Sequence, residues 1–124
     1  MKTMSTVLGM TLVLTLGLSA PCAHAATGAV SATVTRVLIR AGNTFGGCMA
    51  ALSVSPATRL PTCSAGWVTF DCAGILREPN IVRAYQMLEQ ARLAWATNKT
   101  VYVEFVDDAK ANGYCLATRI DVLQ

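Results

Sequence analysis

Pro79-Asn80-Ile81-Val82-Arg83-Ala84-Tyr85-Gln86-Met87-Leu88-Glu89-Gln90-Ala91-Arg92-Leu93-Ala94-Trp95-Ala96-Thr97-Asn98-Lys99-Thr100-Val101-Tyr102-Val103-Glu104-Phe105-Val106 contains the change of hydrophobic period on which the fold turns. Ile81, Ala84, Leu88, Ala91 and Trp95 recur at three- and four-residue spacing, as one face of a helix does, with Arg83, Gln86, Glu89 and Gln90 opposite. Asn80 can cap the free amides of the first turn. Asn98 and Lys99 suit the last turn, where a left-handed residue and a cation are both favoured. Glu89 stands three residues before Arg92 and can pair with it. From Thr100 the period drops to two, setting Val101, Val103 and Phe105 against Tyr102 and Glu104.

Upstream of this helix the pattern is that of strands. Residues 32–40 alternate Thr33, Thr35, Val37 and Ile39 with Val34, Arg36, Leu38 and Arg40, rich in β-branched side chains. A glycine-rich turn over residues 41–47 leads into a second strand at 48–54. A loop with Pro56 and Pro61 precedes a third strand at 67–72. Downstream, Asn112-Gly113 marks a reversal and residues 114–123 form the last strand. Three strands, a helix and two strands predict an α+β domain: a small OB-fold-like, five-stranded antiparallel barrel with one amphipathic helix between strands three and four.

The N-terminus has a different character. Lys2, an uncharged apolar run over residues 7–18 and the small-residue pattern Ala23-His24-Ala25 make a secretory signal peptide, cleaved after Ala25. The run is shorter than the ~20 residues a membrane-spanning helix needs, so no membrane span is expected. Pro21 ahead of Cys22 argues against a lipoprotein box. Residues 26–124 then form one domain in a secreted or periplasmic compartment. Cys48, Cys63, Cys72 and Cys115 remain, an even set in an oxidising compartment, and lack the short spacing of a zinc site. Three connectivities are open on spacing alone. If residues 48–54 pair antiparallel with 67–72 around a loop centred near Leu60, Cys48 falls opposite Cys72 and Cys63 is left for Cys115.

Loss of the leader removes Lys2 and leaves nine basic residues against seven acidic ones, a balance with no bias toward nucleic acid. The arginines are scattered rather than clustered into a basic stripe. His24, the sole histidine, goes with the leader, so the mature chain has no imidazole for base catalysis, metal binding or a Ser-His or Cys-His couple. Paired cysteines supply no thiolate. Asp107 and Asp108 are adjacent, which points them apart in extended chain, and are expected at the last hairpin; Glu104 and Asp121 can meet across strands. No enzyme and no cofactor is therefore expected. Phe45 in the glycine-rich turn, Tyr102 on the polar side of its strand and Tyr114 beside Asn112 are the aromatic surfaces that could stack on a sugar or anchor an interface.

Residues 87–103, Cys48 early in the second strand, Cys72 at the end of the third and a Lys-x-Val strand after the helix resemble the binding subunits of AB-type pentameric bacterial toxins, of the subtilase-cytotoxin and typhoid-toxin type. The resemblance implies an OB-fold, a homo-oligomeric ring, a glycan ligand and a catalytic toxin-like partner subunit. It places the family's sugar-contacting serine on Ser31. A lysine that helps hold sialic acid in some members falls on Ser53, which lacks the charge.

Overall fold

The computed structural model describes residues 24–76 and 80–124; the apolar run of the expected leader lies outside the described residues. Five strands, β1 (Thr27–Ile39), β2 (Cys48–Leu52), β3 (Trp67–Thr69), β4 (Thr100–Ala111) and β5 (Tyr114–Val122), close into a barrel in the order β1-β2-β3-β5-β4. Among the described residues one α-helix, α1 (Ile81–Thr97), lies between β3 and β4 in the chain.

The sheet is mixed, not wholly antiparallel as expected. Thr69 of β3 meets Leu116 of β5 in parallel, while every other pairing is antiparallel. Strand directions require it: β1 and β3 run one way, β4 runs against β1, and β5 returns from the hairpin in the direction of β3. The closing contact is therefore the one place where two strands run together.

β1 starts at Thr27, earlier than the alternation suggested, because Gly28 and Ala29 already pair with Phe105 and Glu104 of β4. A side chain at Gly28 would run into the Phe105 ring and Leu60, so only glycine lets the strand pass here. The strict alternation expected over residues 32–40 breaks at Thr35. Val34 faces Leu52 and Arg36 faces Ala51, which leaves Thr35 as a bulged extra residue. Val34 and Val37 consequently both turn toward the core, although three residues apart.

On α1 the buried residues are Ala84, Met87, Leu88, Ala91 and Ala94. Ile81 and Trp95, expected on that face, are 47% and 56% exposed. A 3.6-residue period carries them to the margin of the stripe, and Met87 and Ala94 take the places facing the barrel. The caps are as expected: the Asn80 side chain accepts the Val82 amide at 3.0 Å, and Asn98 closes the helix at φ 51°. Glu89 and Arg92 pair at 2.9 Å. The helix touches β1, β2, β4 and β5, and Ala84, Leu88 and Ala91 share one core with Val34, Val68, Val103 and Ala117.

Both expected disulfides are present, Cys48–Cys72 and Cys63–Cys115, with Cα atoms 5.5 and 5.4 Å apart. Their geometry departs from the simple hairpin. Met49 pairs with Thr69, which sets Cys48 against Phe70 and not Cys72, and the Phe70 amide donates to the Cys48 carbonyl at 3.1 Å. The ladder stops because Asp71 adopts a left-handed φ of 63°, and that turn returns Cys72 to Cys48.

Candidate functional site

Two outer rows of side chains cross the β1-β2-β3 face. In one, Arg36, Ala51 and Trp67 stand side by side; in the other, Leu38, Met49 and Thr69 do. Row by row, the strands alternate with the inward set Val37, Ala50 and Val68. The Arg36 guanidinium lies over the Trp67 ring, 5.9 Å from its centre, which holds the indole against the sheet.

Two loops complete this face. Phe45 sits in the β1–β2 turn at φ 61°, a conformation disfavoured for a residue with a side chain, and its carbonyl accepts the Thr69 hydroxyl at 2.8 Å. Thr69 is fully buried and also accepts the Asp71 amide at 3.2 Å, so one hydroxyl ties the turn to the end of β3. Tyr114 opens β5 directly after Asn112-Gly113, both with positive φ as a tight hairpin requires. Its ring meets Phe45 edge to face, with centres 5.7 Å apart. Leu38, Phe45, Met49, Trp67 and Tyr114 thus line one open depression of about 170 Å³. It is apolar, aromatic and half-exposed, a shelf against which the flat face of a small ring can stack.

Ser31 and Tyr102 lie elsewhere. They are cross-strand partners in the β1–β4 ladder, so the expected residues form two pairs, not one site. Tyr102 donates to Glu104 Oε1 at 3.2 Å, and the Arg119 guanidinium lies 5.4 Å from the centre of its ring. Arg119 also pairs with Asp121 at 2.6 Å and with Glu104 at 3.4 Å. Glu104 and Asp121 therefore meet across the strands, as expected, but through Arg119 between them. The Tyr102 hydroxyl titrates above the ordinary phenol value, first because partial burial strips water from it and then because it donates to a carboxylate. Arg119 is likewise held more firmly protonated, chiefly by its hydrogen bond to Asp121.

The neutral phenol is the form the fold favours, so its contribution is present below the unfolded value and lost as pH climbs through the folded one. In a difference absorbance titration between the protein and Tyr102→Phe, the midpoint of the phenolate signal is expected above the ordinary phenol value. A midpoint at or below that value would show that the fold does not favour the neutral phenol.

Ser53 has a structural task. Its hydroxyl accepts the Thr33 amide at 2.9 Å, and its amide returns a bond of the same length to Thr33. Asp107 does not sit at the hairpin as expected. β4 runs on to Ala111, and Asp107 lies in a wide bulge between the Val106–Leu116 and Lys110–Cys115 pairs. A larger depression of about 300 Å³, lined by Arg40, Asn43, Cys72 and Tyr85 among others, gathers none of the four residues expected to bind a ligand.

Trp67, central to the shelf, was not among the residues expected at the surface. Its position opposite Arg36 is visible only once two registers are fixed, across β1, β2 and β3. No family model, curated protein or solved structure matches this chain.

Proposed function

We propose that this protein is an exported binding module of OB-fold type, resembling the binding subunits of pentameric toxins, that takes a glycan on the Phe45, Trp67 and Tyr114 shelf and carries out no catalysis. The ring order β1-β2-β3-β5-β4, with the helix between the third and fourth strands, supports the OB-fold assignment. The observation that carries the function is the meeting of Phe45 from the β1–β2 turn, Trp67 from β3 and Tyr114 from the β4–β5 hairpin around one depression. In OB-folds that face and those two loops are where oligosaccharides and oligonucleotides bind. Among the described residues the lining of the shelf carries no lysine or arginine, whereas a phosphate backbone calls for a basic groove. A sugar ring is the better match.

The Ser31 and Tyr102 pair offers the position that the toxin resemblance implies for a sugar contact. Its electrostatics favour a neutral sugar: Glu104 and Asp121 outweigh Arg119, and Ser53 supplies no charge. An acidic sugar would meet a net negative surface there.

Glycan-array binding of the mature protein tests the proposal. Trp67→Ala or Tyr114→Ala is expected to weaken the best neutral ligand at least about fivefold, since stacking contacts contribute about 1–3 kcal/mol each, while Phe45–Tyr114 packing keeps the turn in place in the tryptophan variant. A blank array, or variants that bind as the parent does, would remove the glycan function.

A second reading, a monomeric envelope interaction domain that kept the scaffold without sugar binding, has one observation in its favour. Val82, Tyr85 and Leu93 are exposed on the side of α1 away from the core. Such apolar exposure suits a protein partner. Light scattering of the mature protein separates the monomer from the ring.

A further inference from the structure

Ala26 is held on both sides by one residue. Its amide donates to Asp107 Oδ1 at 2.9 Å, and its carbonyl accepts the Asp107 amide at 3.1 Å. These bonds continue the β1–β4 ladder by one residue beyond the Thr27–Val106 pair. The second carboxylate oxygen, Oδ2, accepts the Thr62 hydroxyl at 3.0 Å, and the Lys110 ammonium donates to the Thr62 carbonyl at 2.8 Å. The wide bulge in β4 frees Asp107 from β5 and lets its carboxylate reach both Ala26 and the loop that carries Thr62. A carboxylate is more than a neutral amide needs there. It is the partner an ammonium group needs.

We propose that processing between Ala25 and Ala26 creates an α-ammonium that Asp107 receives as its counter-ion, so that the cleaved N-terminus is locked onto the barrel at the start of β1. This rests on the export reading above. The hydrolysed peptide bond leaves a carboxylate on Ala25 and an amine on Ala26, protonated near neutral pH, at the nitrogen that already lies 2.9 Å from Asp107 Oδ1. Cleavage one or more residues earlier would leave a neutral amide at that nitrogen and hang the charge beyond reach. Cleavage later would remove the first rung of the strand. Asp107 and Lys110 are the charged groups tied into this corner, and the β-carbon of Arg59 lies near Gly28. Lys110 is engaged by Thr62, which leaves Asp107 as the group in direct contact with the amine.

N-terminal sequencing of the exported protein is expected to begin at Ala26; a processed start at another residue would overturn the ion pair and leave export standing, whereas an uncleaved Met1 would overturn the export reading as well. With that start in hand, Asp107→Asn is compared in two backgrounds, the mature protein and a form extended by Gly-Ser-Gly-Ser ahead of Ala26. Asparagine can still accept an amide proton, so the extended form should lose little. The mature form should lose about 2–5 °C of Tm, as a partly exposed ion pair does in a domain of this size. NMR titration of the mature α-amine, in the folded protein and in urea, should place it higher in the fold, and that comparison stands even if the variant does not fold. Equal losses of Tm in both backgrounds, or an α-amine that titrates alike folded and unfolded, would overturn the ion pair while leaving cleavage after Ala25 intact.

Discussion

Replacing both Cys63 and Cys115 by serine is expected to lower the free energy of unfolding by about 4 kcal/mol, a large share of the about 5–15 kcal/mol that holds a domain of this size. The bridge closes a separation of 52 residues, and the entropy it removes from the unfolded chain grows with that length. Cys48–Cys72, across 24 residues, should cost about 3.5 kcal/mol on the same account. The longer bridge also has a local task. It fixes the loop before β3 to the start of β5, where the Ser64 amide donates to the Gly113 carbonyl at 2.8 Å. Tyr114 stands between that bond and Cys115, so the proposed glycan binding should fall together with stability. Urea unfolding of the oxidised protein and the two double variants gives the figures. A loss below about 1 kcal/mol for Cys63 and Cys115 would show that the unfolded chain is already compact without the bridge.

Asp71→Ala should cost about 3 kcal/mol, and Asp71→Asn roughly half of that. Asp71 is fully buried, and its two carboxylate oxygens accept the amides of Ile75 and Leu76 at 2.9 and 2.8 Å. Hydrogen bonds to a charged group contribute about 1.5–3 kcal/mol each, and alanine leaves both amides without an acceptor. Alanine also resists the φ of 63° by about 1–2 kcal/mol, whereas asparagine tolerates it. Relief from burying a charge offsets part of the sum and brings it to the stated value. Asparagine keeps one acceptor and turns a donor toward the second amide, hence its smaller but real cost. The consequence reaches the site, because the Asp71 amide donates to the Thr69 hydroxyl that holds Phe45. Denaturant unfolding of both variants is the measurement. Alanine costing no more than asparagine would mean that the carboxylate does not organise this loop.

Much of the fold was legible because its signals are local. The helix announced itself through Asn80, Asn98 and the three- and four-residue spacing between them, each a property of one turn of backbone. The last hairpin announced itself through Asn112-Gly113, whose positive φ values few other residue pairs accept. The disulfide partners followed from pairing β2 with β3, and the pairing survived a register two residues away from the one assumed. What local signals could not carry was any feature that depends on two strands at once. Thr35 looks like every other residue in its alternating run, and only the fit of β1 onto β2 makes it the bulge. Trp95 has the right spacing for the core face, yet Ala94 fills that place because a small side chain lets the helix settle close to the barrel.

The candidate site divides in the same way. Phe45 and Tyr114 stood out as aromatic residues beside turn sequences, while Trp67 was hidden in a strand. Residue types, spacing and the cysteine set were sufficient to determine an α+β chain with a helix after the third strand and four thiols that pair, because each follows from short-range backbone preference or from elimination among few candidates. Barrel closure decided the rest. The parallel meeting of Thr69 with Leu116 brings residues 45, 67 and 114 onto one face, and it sends Ser31 and Tyr102 to another. Such contacts depend on strand direction and register summed around the whole ring, a quantity that no single stretch of chain contains.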